Sequence, residues 1–238
     1  MAKHGKFRPQ PWRNQDQMNS TADRVATHVL AIAAVVAVGV MVYDRTRPPR
    51  PDIYARPVAL VENWERAVAV ATPELKQRNA ISVLEFVDLE CPFCADFDST
   101  MIALKAVMGD TIDVQFVHMP ITGHRFARAG AVAIECAALE KKEREFISRV
   151  YAQQDSIGLK SWSRYASDAG IQDSRRFDSC LTSAAIAARV DSAAQVSKAL
   201  KIPGTPTVLI EGWSFSNAPS VEKLASAVRA VKRGKSPA

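Results

Sequence analysis

The chain has 238 residues, 47% of them hydrophobic, and a formal net charge of +6, a size that holds one large core or a domain with accessories. Nine of its Lys/Arg and four of its Asp lie in residues 1–56, leaving 22 basic and 21 acidic residues in the remainder. The excess charge is confined to the N-terminal segment, which argues against a basic nucleic-acid-binding face on the folded part.

Residues 1–24 are polar and basic and read as a cytoplasmic N-terminal segment. Val25 to Tyr43 then runs for 19 residues with no charged side chain apart from His28. At about 1.5 Å per residue this nearly spans a ~30 Å hydrocarbon core, so a single transmembrane anchor over 25–43 is expected. A cleavable signal peptide is the competing reading. It fits less well, because the small residues Ala37-Val38-Gly39 fall inside the apolar run and the segment before it is long. Basic residues are nearly balanced across the run, five before (Lys3, Lys6, Arg8, Arg13, Arg24) and four soon after (Arg45, Arg47, Arg50, Arg56), so charge does not fix its orientation. Residues 44–57, with Pro48, Pro49, Pro51 and Pro57, read as an extended stalk.

The folded domain is expected over 58–233, with 234–238 as a tail. Glu62 to Leu75 reads as a helical or irregular lead-in with Trp64 packed on the domain. A first core strand is predicted at 82–88, where Val83 to Val87 is almost continuously apolar, as in a strand buried on both faces with helices packed around the sheet. The strand runs into Cys91-Pro92-Phe93-Cys94 and a helix. Pro92 suits the first helical turn, Phe97, Met101, Leu104 and Met108 give one apolar face, and Gly109 is the stop.

A cysteine at a helix N-terminus faces unpaired amides and the positive end of the helix dipole, which favour the thiolate. Cys91 is therefore the expected nucleophile. The two-residue spacing lets the more buried Cys94 reach back to close a disulfide or resolve a mixed one. Cys-x-x-Cys is also half of a zinc site. The other half is missing, because Cys136 and Cys180 are far from each other and from any His in sequence, so no metal and no cofactor is expected. Glu85 interrupts the buried strand. Desolvation raises the pKa of such a carboxyl and suits it to pass a proton to or from Cys94, unless it escapes at a sheet edge. Asp88, Glu90, Asp96 and Asp98 crowd negative charge near Cys91 and oppose its ionisation.

A second strand is predicted at 111–118, with Ile112, Val114, Phe116 and His118 sharing a face. Helical patterns follow at about 125–139, 141–155, 160–169, 173–182 and 184–201. His118 and His124 read as an ordinary strand histidine and a helix-capping one. Cys136 and Cys180 fall on helices of this stretch and read either as a structural disulfide or as small core residues. Thr207–Ile210 is the next strand, Trp213–Ser216 returns as an antiparallel edge strand, and a closing helix carries Val221, Leu224, Ala225 and Val228 on one face.

Val83-Leu84-Glu85-Phe86 with Cys91-Pro92-Phe93-Cys94, joined to Gly204-Thr205-Pro206-Thr207, resembles the DsbA-like thiol:disulfide oxidoreductases of the thioredoxin superfamily over about residues 58–232. The resemblance implies an α/β thioredoxin-like fold with a helical insertion over about 119–203. It also implies a cis bond before Pro206, and a substrate-peptide groove formed by Pro92, Phe93, Thr205 and Pro206. Without the resemblance, Pro206 is an ordinary turn proline opening a strand. Glu85 matches the acid that the family carries six residues before its first cysteine. The implied activity is oxidation of cysteines in secreted or periplasmic proteins, supported by a membrane redox partner, with the domain on the periplasmic side of a bacterial inner membrane. Pro92-Phe93 lacks the histidine of the strongly oxidising members, which points to a moderate oxidant with a Cys91 pKa between ~3.5 and ~8.5. A reductase or isomerase of the same fold and a thiol-based copper metallochaperone are the alternatives.

Overall fold

The computed structural model describes the backbone of residues 15–46, with side chains at 25–39 and 41, and the whole of residues 57–71 and 80–237. The first 14 residues and most of the expected stalk lie outside the described residues. The chain divides into two units, Met1–Ile53 and Tyr54–Ala238.

In the first unit, residues 15–46 form one helix, α1 (Gln15–Thr46). Its described side chains between Val25 and Met41 are all exposed. Among the described residues no helix is long and apolar enough to cross a membrane. The expected anchor lies within α1, but Val40, Val42 and Tyr43 are not among its described side chains.

The second unit is a five-stranded sheet in the order β1-β5-β4-β2-β3. β2 (Ile81–Val87) and β3 (Ile112–His118) pair in parallel, joined by the crossover helix α3 (Pro92–Met108). β4 (Thr207–Ile210) pairs antiparallel with β2, and β5 (Trp213–Ser216) antiparallel with β4. The expected role of Trp213–Ser216 as an edge strand is corrected. A two-residue strand, β1 (Ala59–Leu60), covers its outer side, too short to leave a periodic signal in the sequence. The described part of the lead-in holds a short helix, α2 (Glu65–Val68), and residues 72–75 of it lie outside the described residues. Trp64 lies over Gly212, where a Cβ would sit 2.4 Å from the indole, so a glycine at that positive-φ turn is required.

Alternation along β2 sorts its side chains onto two faces. Val83 packs with Phe97, Met101 and Leu104 of α3 and with Leu224 and Val228 of α9 (Val221–Lys232). Leu84 and Phe86 face Ala67 and Ala193 on the other side, the latter from α8 (Ala184–Ala199). The insertion between β3 and β4 contributes four more helices before α8: α4 (Ala127–Leu139), α5 (Glu143–Tyr151), α6 (Trp162–Asp168) and α7 (Ser174–Leu181). Their apolar faces meet Val87, Leu89 and Cys94 in a second core that includes Phe146, Phe177 and Tyr165.

Local chemistry sets the helix starts. Ser161, Asp173, Ser183 and Ser220 each accept an amide hydrogen bond at the N-termini of α6, α7, α8 and α9, an arrangement worth about 1 kcal/mol apiece. The N-cap of α3 is Cys91, whose side chain makes no such cap. Its amides are left for the sulfur.

Cys136 of α4 and Cys180 of α7 form a disulfide across 44 residues. A loop of that length restricts the unfolded chain enough to contribute about 4 kcal/mol. The Cys136→Ala/Cys180→Ala double variant should lose stability of that order in denaturant unfolding. In a variant lacking Cys91 and Cys94, mass spectrometry should count no free thiols until reductant is added; two would show that the bridge is not formed.

Candidate active site

The strand β2 ends in a tight turn, Asp88-Leu89-Glu90, closed by the Cys91 amide donating to the Asp88 carbonyl at 3.1 Å. Cys91 takes extended angles (φ −74°, ψ 116°) and Pro92 opens α3, which aims the first-turn amides at the sulfur. Both cysteines are buried thiols, Cys91 3% and Cys94 0% exposed. From the far side of the sheet the chain returns through a cis Thr205-Pro206 bond, and the Cys91 thiol donates to the Thr205 carbonyl at 3.4 Å. Phe93 projects beside it, 67% exposed.

Two sulfurs this close share a proton unequally. The hydrogen bond from Cys94 lowers the Cys91 pKa to about 6; burial opposes this, while the Thr205 hydroxyl and the amides of Cys94 and Phe93 assist it. The same hydrogen bond, with burial, pushes the Cys94 thiol up. Cys91 is thus the thiolate and Cys94 the proton holder.

Glu85 lies fully buried in mid-strand, opposite Phe116 of β3. Desolvation raises its pKa to about 7; Arg144 pulls it down and Asp98 pushes it further up. Arg144 stands on α5 with one nitrogen 3.9 Å from the Glu85 carboxyl, another on Asp98, and its guanidinium 4.9 Å from the Phe116 ring centroid. Seven residues further along α5, Tyr151 places its hydroxyl 3.4 Å from the Asp88 carbonyl. Gln154 donates to the carbonyls of Leu89 and Cys91 at 2.7 and 3.0 Å, fixing the turn from outside.

A family model described as Thioredoxin matches residues 77–230. The chain belongs to the thioredoxin family. Its fold is similar to that of BdbD from Bacillus subtilis (TM-score 0.61, 17% identity, 70% of this chain and 95% of that one). It is equally similar to the thiol-disulfide exchange protein alpha-DsbA2 from Wolbachia pipientis (TM-score 0.61, 15% identity, 72% and 93%). A thioredoxin-like oxidoreductase from Silicibacter pomeroyi DSS-3 gives 0.57 at 19% identity over 69% and 93%. These likenesses establish a DsbA-like thioredoxin fold. In sequence, the chain is 30% identical over 135 residues to a protein named Na(+)/H(+) antiporter NhaA 1 from Mycolicibacterium gilvum, 56% of this chain and 22% of that protein. It is 28% identical over 151 residues to Na(+)/H(+) antiporter NhaA 3 from Salinispora tropica, 62% and 22%. The chain thus spans about a fifth of the length of these curated relatives.

Within this thioredoxin-family domain the structure brings Cys91, Cys94, Thr205 and Pro206 together and places Glu85 behind them, while Pro92 and Phe93 form the exposed rim. Cys136 and Cys180 pair with each other, apart from this dithiol. The expectation of uncompensated acids around Cys91 is corrected. Asp88 is buried and accepts from the amides of Glu90 and Ile121 at 2.9 and 2.8 Å and from His124 at 2.8 Å. Glu90 accepts from the Phe126 amide, and Asp98 pairs with Arg144. Only Asp96 of the four stays on an exposed surface.

His124 is not a helix cap. It precedes α4, whose N-cap is Phe126, and the Asp88 carboxylate raises its pKa. Its neighbour in the sequence reading, His118, is buried against Glu135 at 2.9 Å, which also holds Arg189 at 3.0 Å. Arg144, Tyr151 and Gln154 were not anticipated in the site, and His124, read as a helix cap, joins it through Asp88. Each arrives from the insertion, and no local pattern marks them.

Two outcomes follow from these protonation states. A thiolate absorbance titration of the reduced protein should show a single midpoint near 6, with Cys94 silent through the neutral range; a midpoint at the free-cysteine value would overturn the assignment. Glu85 keeps its proton to about 7 in the fold, against 4.5 ordinarily. The stability this supports is complete below pH 4.5 and is lost as pH rises through 7, with a ceiling of about 3 kcal/mol. Urea unfolding at pH 5 and pH 8 should therefore show a smaller decline for Glu85→Gln than for the parent protein.

Proposed function

We propose that the chain is a membrane-tethered thiol:disulfide oxidoreductase that oxidises cysteines of extracytoplasmic proteins through Cys91 and Cys94. The observation that carries the chemistry is the asymmetric dithiol at the start of α3: a pKa lowered to about 6 at Cys91 beside a raised one at the buried Cys94. A substrate thiolate attacks Cys91 in the disulfide form and Cys94 leaves with the electron pair. A second substrate thiolate then attacks the substrate sulfur of the mixed disulfide and Cys91 leaves. Two substrate thiols become one disulfide, and the enzyme holds the two electrons as a dithiol for a membrane redox partner to remove.

The thiolate supports the oxidising direction. A low Cys91 pKa stabilises the reduced form at neutral pH and makes the disulfide a stronger oxidant. The Thr205 carbonyl and cis-Pro206 beside Cys91, with Phe93 exposed next to them, favour an extended peptide as substrate over transfer of copper. Glu85 serves as the acid that exchanges protons with the Cys94 side of the site.

The extracytoplasmic setting draws on the Cys136–Cys180 bridge, since structural disulfides persist in oxidising compartments. The tether draws on the uncharged Val25–Tyr43 run and on exposed apolar side chains around the described part of α1. Similarity to part of proteins named as antiporters also suits a membrane setting. In this arrangement residues 1–24 are cytoplasmic, 25–43 span the inner membrane once, and 44–57 hold the domain off the bilayer.

Equilibration of the full chain in detergent with glutathione buffers tests the direction. A reduction potential near −120 mV marks a disulfide donor, whereas one near −270 mV marks a reductase and would overturn the oxidant reading.

A further inference from the structure

When the Cys91–Cys94 disulfide opens, negative charge moves to the site least able to hold it. In the dithiol state the Cys94 proton stabilises the Cys91 thiolate. In the opening step the roles reverse: a bond forms between the incoming sulfur and Cys91, the Cys91–Cys94 bond breaks, and its electron pair passes to Cys94, which is 0% exposed. A leaving thiol departs faster the better its anion is stabilised. Water does not reach this sulfur, so the protein has to supply the donor.

Tyr151 is placed to do so. It ends α5 and belongs to the same buried cluster as Cys94. Its hydroxyl donates to the Asp88 carbonyl over 3.4 Å, a long bond in a buried setting. That carbonyl is also the acceptor for the Cys91 amide, which places the hydroxyl against the turn carrying both sulfurs. The Cys94 side chain packs in the same buried cluster and is near enough to raise the phenol's pKa. On the same stripe of α5, two turns away, Arg144 addresses Glu85.

We propose that Tyr151 is a catalytic residue that donates its hydroxyl hydrogen bond to the departing Cys94 thiolate, swinging from the Asp88 carbonyl as the charge develops. The groups facing it are Cys94, Glu85 and Arg144, with Asp88 contributing its backbone. Burial and the charges on Cys94 and Glu85 hold the phenol protonated well beyond the neutral range, so the hydroxyl stays a donor and keeps its own proton. This assignment rests on the dithiol chemistry proposed above.

The test is Tyr151→Phe in the full chain, which keeps the ring and removes only the hydroxyl. Opening of the Cys91–Cys94 disulfide by glutathione, followed by acid quench and thiol counting, should slow roughly ten-fold or more, the range for a hydrogen bond to a charged group. Alkylation of Cys91 in the reduced variant at the same pH should stay within about two-fold of the parent, because there Cys91 attacks and Cys94 keeps its proton. Unchanged disulfide opening, or equal slowing of both reactions, would overturn the assignment. A parent disulfide inert to glutathione would instead overturn the proposed function itself. Near-UV circular dichroism of the variant identifies any loss of packing.

Discussion

The site hangs on the buried turn that begins at Asp88. Its carbonyl accepts the Cys91 amide and the Tyr151 hydroxyl, and its carboxylate gathers the amides of Glu90 and Ile121 together with His124. A carboxylate taken out of water is costly unless such donors replace its hydration. Here they come from two separate stretches of chain, the turn at Glu90 and the loop from Ile121 to His124, so satisfying one side chain ties the end of β2 to the loop leading into α4. The angle at which Cys91 enters the helix follows from that knot.

Around it the core divides by chemistry. Toward α9 the sheet buries Val83, Ile112, Val208 and Phe215 with α3, an apolar surface whose burial drives folding. Toward the insertion the same face of β2 carries Glu85, answered by Arg144, which Asp98 also holds. The ion pair lies too far from Glu85 to restore what burial takes away, and the carboxyl drifts to a pKa of about 7. Stability is lost there in exchange for a group that can change protonation at working pH. A simple apolar residue at position 85 would pack more cheaply and move no proton.

What was legible in the sequence was what is local. The strand, turn and helix around Cys91 follow from an apolar run, a proline and a helical stripe, and the elements from Thr207 to Val228 fall where their patterns put them. Pro206 was readable through its resemblance to a known motif, not through its spacing. The remainder of the site was hidden because it is long-range. Arg144, Tyr151 and Gln154 reach Glu85, Asp88 and Cys91 across some sixty residues of sequence, and the first two sit on α5, which looks like any amphipathic helix. The charge near Cys91 reads differently in space for the same reason: four acids counted along the chain read as repulsion, whereas Asp88 faces His124, Asp98 faces Arg144, and Glu90 accepts from the Phe126 amide.

The two cysteine pairs show how position on a helix decides what a disulfide is for. Cys136 and Cys180 both lie near the C-terminal ends of their helices, α4 and α7, where carbonyls and the negative end of the dipole disfavour a thiolate. Cys136 is buried in apolar surroundings, and the bond joins α4 to α7 across 44 residues and braces the insertion. Cys91 lies at the opposite kind of end. The hydrogen bond from Cys94 lowers its thiol pKa, the helix amides assist, and the Thr205 carbonyl lies beside it. The fold thus sets one pair at a helix start that favours a thiolate and the other where it only ties two helices together. The helices braced by the unreactive pair include the wall against which α5 holds Arg144 and Tyr151 over the reactive one.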